Sequence, residues 1–236
     1  MNQIPTKTFN IAGPCNPNKH YMLPAVERIP NLNNLFLTES YFVLHAPRQS
    51  GKTTAIKALV KTINEEAEFY ALYCSFESLE RISNLASALA SINYKLIEYM
   101  AESGLKSLSE SYKGIPEFDP NNPLGLSSSG LMGEELPKIG NVISFTLKKI
   151  CQKLDKDLLI FVDEIDTLSG DVLVSFLRQL REGYINRNTD PFPPFPRSIA
   201  LVGMRNIRDY KDQVRPDSET LGTSSPFNII TEALTL

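Results

Sequence analysis

The sequence is sparing with cysteine, has no surplus of positive charge and contains no long apolar run, and each shortage removes a class of protein. Its three cysteines, Cys15, Cys74 and Cys151, are widely spaced, with no CxxC pair in 236 residues. An odd count at such spacing fits the reduced thiols of a cytosolic protein and excludes both a disulfide scaffold and a cysteine-based metal site. A chain of this length needs no such staples, because folding hides roughly 70% of its unfolded accessible surface. Lys and Arg number 24 against 27 Asp and Glu, a formal net charge of −3. That excludes a globally basic, nucleic-acid-coating protein and leaves only a local basic patch open. No apolar run approaches the roughly 18 residues that read as a membrane span. The opening segment, MNQIPTKTFNIAGPCNPNKH, lacks the apolar stretch of a signal peptide. The expectation is a soluble, cytoplasmic chain with no membrane partner.

What is present is an alternation of strand and helix signals. Residues 1–40 read as an N-terminal arm, irregular around Pro5, Gly13, Pro14 and Pro17, followed by a short helix in LPAVERIPNL. Residues 41–236 read as the core. Its strands are YFVLH (41–45), FYALYCS (69–75), LLIFVDEI (158–165) and SIALVGM (198–204), with a last apolar segment, FNIITEALTL, at the end. Between them lie the helical patterns TTAIKALVKTI, SLERISNLASALASINYKLIEYM, VISFTLKKICQKL and VLVSFLRQLREGY. The stretch from Ser103 to Gly140 breaks the rhythm with Gly114, Pro116, Pro120, Pro123, Gly125 and a Ser127–Ser129 run, and is expected to be a surface insertion. Such alternation predicts parallel crossovers in a three-layer α/β/α sandwich on a mainly parallel five-stranded sheet.

Two segments carry chemistry. Ala46-Pro47-Arg48-Gln49-Ser50-Gly51-Lys52-Thr53 matches GxxxxGK[ST] with alanine in place of the first glycine. It stands between a strand and a helix, as a phosphate loop must. Successive N–H groups then curl round a β-phosphate at the positively polarised helix N-terminus, and Gly51 lets the backbone come close. Lys52 reaches the β and γ oxygens, and Thr53 is placed to bind Mg²⁺ through its hydroxyl. Thr54 follows as an α-phosphate contact. Ala46 suits the first position provided its φ stays negative.

The second segment, Leu158–Glu164, is an apolar strand that lifts two adjacent carboxylates to its C-terminal end, the edge where α/β ligands sit. Asp163 is expected to hold the Mg²⁺ shell, usually through water, and Glu164 is expected to orient or deprotonate the attacking water. Asp166 reads as a helix cap with no catalytic role.

These motifs resemble the additional-strand, catalytic-glutamate class of P-loop ATPases. HYMLP, YFVLHAPRQSGKTT, GMRNIRDYK and SSPFNI resemble segments of bacterial AAA-like ATPases related to the AAA+, STAND and origin-recognition groups. The resemblance implies that the two motif strands are separated by an intervening strand, here SIALVGMRN. At its tip Arg205, or failing it Asn206, would sense the γ-phosphate. The segment ahead of the first motif would line the adenine pocket, which makes His20, Tyr21 and Met22 base contacts and puts the arm on the adenine side. In such proteins a helical lid follows the last strand, and none is expected in this sequence.

The function expected is that of an ATPase core using ATP and Mg²⁺ to drive conformational change or assembly. A slow-turnover ATP-dependent switch or scaffold is the alternative, and a P-loop kinase a further one. Against the kinase stand the Asp163-Glu164 pair and the lack of an obvious arginine-rich lid segment, although Arg178, Arg181, Arg187 and Arg197 lie scattered downstream. A homo-oligomer or a partner protein follows from the resemblance, and DNA from family analogy alone. Lys148, Lys149, Lys153 and Lys156 read as a solvated helix face rather than a DNA surface.

Overall fold

The computed structural model describes residues 7–11, 16, 18–21, 29, 32–80, 82, 84–113, 139–187, 194–204 and 230–235. In chain order these hold α1 (Leu32–Leu37), β1 (Tyr41–His45), α2 (Lys52–Glu66), β2 (Tyr70–Ser75), α3 (Leu85–Glu102), α4 (Lys106–Ser111), α5 (Val142–Cys151), β3 (Leu158–Asp163), α6 (Gly170–Asn186), β4 (Ser198–Gly203) and β5 (Ile230–Thr235). The strands form one sheet in the order β2-β3-β4-β1-β5, and every neighbouring pair is parallel.

Alternation along the strands divides the core into two layers. Tyr41, Val43, Leu158, Ile160, Val162, Ile199 and Leu201 face a cluster built with α3, α5 and α6. Phe42, Leu44, Leu159, Phe161, Ala200 and Val202 face the opposite way, onto Leu35 and Phe36 of α1 and Ile56, Leu59 and Ile63 of α2. β3 and β4 are buried along their whole length, so the near-continuous apolar runs read from the sequence belong to central strands covered on both faces. This is the expected three-layer α/β/α sandwich.

The edge strand β2 is partly satisfied by a side chain, since Asn64 donates from Nδ2 to the Ala71 carbonyl (2.9 Å) and accepts from its N–H (2.8 Å). An edge covered in this way is a poor template for pairing with another chain.

Three local expectations change. The helix expected from Ser78 onward starts only at Leu85, because Asn84 accepts from the Ser87 N–H (2.9 Å) and caps it; a 3₁₀ turn, Glu77–Leu79, comes before it. The segment expected to leave the core at Ser103 first forms α4, whose Leu108 and Ser111 are fully or almost fully buried. The Ser127–Ser129 run and the proline-rich part of that segment lie outside the described residues, as does most of the helix expected in LPAVERIPNL. Asp166 caps no long helix. It sits in a 3₁₀ turn, Ile165–Thr167, and residue Ser169 holds the N-cap position of α6.

Candidate functional site

The C-terminal edge of the sheet gathers both sequence motifs. β1 delivers the chain to Ala46, which is buried, keeps a negative φ and donates its N–H to the Gly203 carbonyl of β4 (3.2 Å). Alanine therefore meets the requirement of the first loop position. Gln49 (φ 61°) and Gly51 (φ 84°) take left-handed backbone conformations, which turns the loop into a concave nest leading into the positive end of α2. Glycine takes such a φ without steric cost. For Gln49 it is a strained conformation of the kind that collects at ligand sites.

Lys52 is 94% shielded from solvent (6% exposed). Its Nζ donates to the carbonyls of Ala46 (2.9 Å) and Pro47 (3.1 Å), so the ammonium lies inside the loop curve. Thr53, the next residue, donates from Oγ1 to Asp163 Oδ2 at 2.7 Å across 110 residues of sequence. Thr54 follows on the first turn of α2, half-buried. The loop and the carboxylate strand thus share one site.

Asp163 is buried at the tip of β3, and its Oδ1 accepts the Glu164 N–H (3.0 Å). β3 stops there. Glu164 does not continue the strand as the sequence reading had it but turns through φ 55°. Desolvation, and then the Asp163 charge, push the Glu164 carboxyl above its ordinary value, with Lys52 pulling it back down. A carboxylate made more basic beside a phosphate loop suits proton abstraction from water.

The turn carrying Glu164 is tied to both neighbouring strands. Thr167 donates from Oγ1 to the Phe76 carbonyl just past β2 (3.0 Å) and to the Glu164 carbonyl (2.9 Å), while the Asp166 carboxylate accepts the Met204 N–H at the end of β4. On the phosphate-loop side, Arg48 donates from Nε to Met204 Sδ (3.1 Å).

The donor set suits a hard cation. One hydroxyl and one carboxylate in contact match the oxygen preference of Mg²⁺, which leaves its remaining positions to water and phosphate. Among the described residues no group of three or more His, Cys, Asp or Glu could hold a metal ion.

The strand order fixes the architecture. β4 lies between the phosphate-loop strand β1 and the carboxylate strand β3, and its segment is the one expected there from the resemblance. Drosophila ORC bound to poly(dA/dT) DNA and Cdc6 is similar in structure over 89% of this chain, with a TM-score of 0.50 at 10% identity. The fold is that of a three-layer α/β/α P-loop NTPase. The Aeropyrum pernix ORC2 protein in its ADPNP–ADP complexes (TM-score 0.46, 15% identity, 90% of this chain) and Cdc6p from Pyrobaculum aerophilum (0.44, 14%, 86%) are also similar. The chain spans 28%, 45% and 41% of the length of these three matched chains. Its sequence matches no protein-family model and no curated protein.

Within this fold the remaining expected residues fall in different places. His20 pairs with Thr8 in a parallel bridge and accepts the Asn16 N–H at Nδ1 (2.9 Å), and Tyr21 rests on Phe9 with ring centroids 5.3 Å apart. No hydrogen bond or ring contact among the described residues joins either to the phosphate loop. Met22, Arg205 and Asn206 lie outside the described residues. Arg187 and Arg197 are committed to the opposite edge of the sheet. There Arg187 donates to the carbonyls of Glu39 (2.7 Å) and Arg197 (2.9 Å), and Arg197 pairs with Asp157 (2.7 Å). The lysines of the α5 region are engaged as well: Lys148 with Glu182 (3.0 Å), Lys153 with the Lys113 carbonyl (2.5 Å), Lys156 with the Ala67 carbonyl (2.6 Å), and Lys149 over the Phe145 ring.

Sequence reasoning missed two contributors. Tyr73 of β2 donates its hydroxyl to Asp163 Oδ2 (3.1 Å), and burial together with the Asp163 charge pushes its phenol upward, so it remains a donor. Asp166 was assigned to capping and instead joins the Glu164 turn to β4. The only signals in the sequence were the strand pattern FYALYCS that carries Tyr73 and the short spacing from Glu164 to Asp166.

Proposed function

We propose that this chain binds ATP with Mg²⁺ and hydrolyses it, using the cycle to drive conformational change or assembly. The observation that carries the reading is the 2.7 Å bond between Thr53 and Asp163, which joins a phosphate loop and an acidic strand tip in one site. In this reading residues 46–54 cradle the phosphates. Lys52 exchanges its two carbonyl partners for β- and γ-phosphate oxygens. Thr53 and Asp163 would hold Mg²⁺, and its charge would offset that of the phosphate oxygens. Glu164 takes the proton of the attacking water as oxygen bonds to the γ-phosphorus and the bond to the ADP oxygen breaks.

Arg205 is proposed as the γ-phosphate sensor, and His20, Tyr21 and Met22 as base contacts. The resemblance supports both assignments. A second copy of the chain or a partner protein is proposed to complete the active assembly. DNA enters as a partner only through the neighbour bound to it, and the engaged lysines of α5 give it no further support.

The test is nucleotide titration with phosphate-release measurements on the parent, Lys52→Ala and Glu164→Gln. Lys52→Ala should lose on the order of 100-fold in ATP affinity, since charge-assisted bonds contribute about 1.5–3 kcal/mol each. Glu164→Gln should bind ATP as the parent does and release no phosphate. Equal ATP affinity for Lys52→Ala and parent would refute the site. A parent that binds tightly yet releases phosphate no faster than Glu164→Gln would establish the switch reading in its place.

A further inference from the structure

The hydroxyl of Tyr73 has no role in the reading above, yet it reaches the buried carboxylate that reading gives to Mg²⁺. Asp163 Oδ2 accepts from Thr53 Oγ1 (2.7 Å) and from the Tyr73 hydroxyl (3.1 Å), and Oδ1 accepts from the Glu164 N–H (3.0 Å). These three donors do not have equal freedom. The Glu164 N–H belongs to the backbone. The Thr53 hydroxyl has a second task, since its oxygen lone pairs must face the cation while its proton points to Oδ2. Tyr73 is the described side chain that holds the Oδ2 end without facing the cation itself.

Its ring is itself held from two helices. Lys57 Nζ, one turn past Thr53 on α2, lies over the Tyr73 ring at 4.7 Å. Tyr99 of α3 meets it edge-on, with centroids 5.8 Å apart and planes at 83°. The backbone of Tyr73 is fixed by parallel pairing to Phe161, two residues before Asp163. A phenol clamped in this way adds a directed donor to a metal-binding carboxylate, and such outer partners set ligand orientation.

We infer that Tyr73 is a positioning residue for Asp163, orienting its carboxylate so that the site takes up Mg²⁺ together with the nucleotide. The inference rests on the proposed nucleotide site and adds to it a residue on a third strand, β2. It assigns Tyr73 no contact with nucleotide or reacting atoms.

The experiment is a Mg²⁺ titration of the full chain with saturating ATP, read by thermal unfolding, beside ATP affinity measured in EDTA. Tyr73→Phe keeps the ring against Lys57 and Tyr99 and removes only the hydroxyl. Loss of an outer partner typically lowers metal affinity about 10- to 100-fold. Because Asp163 retains the Glu164 N–H, the lower end is expected: the Mg²⁺ half-saturation point should rise about tenfold while ATP affinity in EDTA stays within about twofold. In an Asp163→Asn background the Tyr73→Phe change should have no further effect on the Mg²⁺ midpoint, the mark of action through Asp163. An unchanged midpoint in Tyr73→Phe overturns the proposal. So does an equal loss of affinity with and without Mg²⁺, which would make Tyr73 a prop of the fold. Parent protein whose ATP binding ignores Mg²⁺ would overturn the metal assignment itself and Tyr73 with it, an outcome distinct from failure of Tyr73 alone.

Discussion

Glu164 joins local backbone strain to proton chemistry. Its φ of 55° swings the side chain off the strand beside Asp163, and burial and that neighbouring charge hold its carboxyl above the ordinary 4.5. The folded chain therefore binds this proton more tightly than the unfolded one. The associated stability is fully present below about 4.5 and is lost as pH rises through the raised folded value. Glu164→Gln removes that dependence. Denaturant unfolding of both proteins without added nucleotide, from about pH 4 to about pH 7, should show the parent losing stability relative to the variant as pH rises. Because the side chain is half-exposed, the difference should be small. Parallel pH profiles for the two proteins would show that Glu164 titrates as a free carboxyl.

At the scale of elements, the turn after β3 is braced to β2 by Thr167 and to β4 by Asp166. Glycine is required at the β4 end of the second brace. A Cβ built on Gly203 would stand 2.5 Å from Asp166 Oδ1 and 2.9 Å from Oδ2, so the carboxylate would have to leave the Met204 N–H. Gly203→Ala should cost about 1–2 kcal/mol through that lost charge-assisted bond and should lower phosphate release more than ATP affinity, because the Glu164 turn loses its anchor. Asp166→Ala should give much the same loss. The double variant should be only slightly worse than either single one, since both changes break one interaction. Additive losses in unfolding measurements would show that Gly203 and Asp166 act separately.

Across the whole molecule, the two edges of the sheet perform different tasks. The C-terminal edge holds the phosphate loop and the carboxylates, whereas the other is stitched by arginines. Arg187, with its side chain 7% exposed, pairs with the Glu39 carboxylate (3.2 Å) and lies 4.2 Å from the Tyr184 ring centre. It also donates to the Glu39 and Arg197 carbonyls, and the Tyr41 hydroxyl donates to the Pro196 carbonyl (2.9 Å). Removing one member of such a buried set leaves charge and carbonyls without partners. Arg187→Ala should therefore lower unfolding free energy by about 3 kcal/mol and leave ATP affinity within about twofold when measured well below its melting temperature. A large drop in ATP affinity in the folded variant would place Arg187 in the nucleotide machinery, as the kinase reading requires.

By itself the sequence determined the sandwich and the two motif segments. Apolar runs such as LLIFVD can be stable only between two covering layers, and a loop ending in Gly51-Lys52-Thr53 between strand and helix matches the phosphate-loop pattern. Strand order was legible only through resemblance, because which strand lies between β1 and β3 depends on crossovers that residue patterns do not encode. What tertiary structure alone decided were the partners across long sequence separations. Tyr73 reads locally as one more β-strand aromatic, Asp166 as a cap and Arg187 as one of four scattered arginines. Each gains its role from a group brought beside it by folding: Asp163, Met204 and Glu39 in turn. A hydrogen bond depends on distance and direction in space, and sequence spacing supplies neither once the partners lie on different strands.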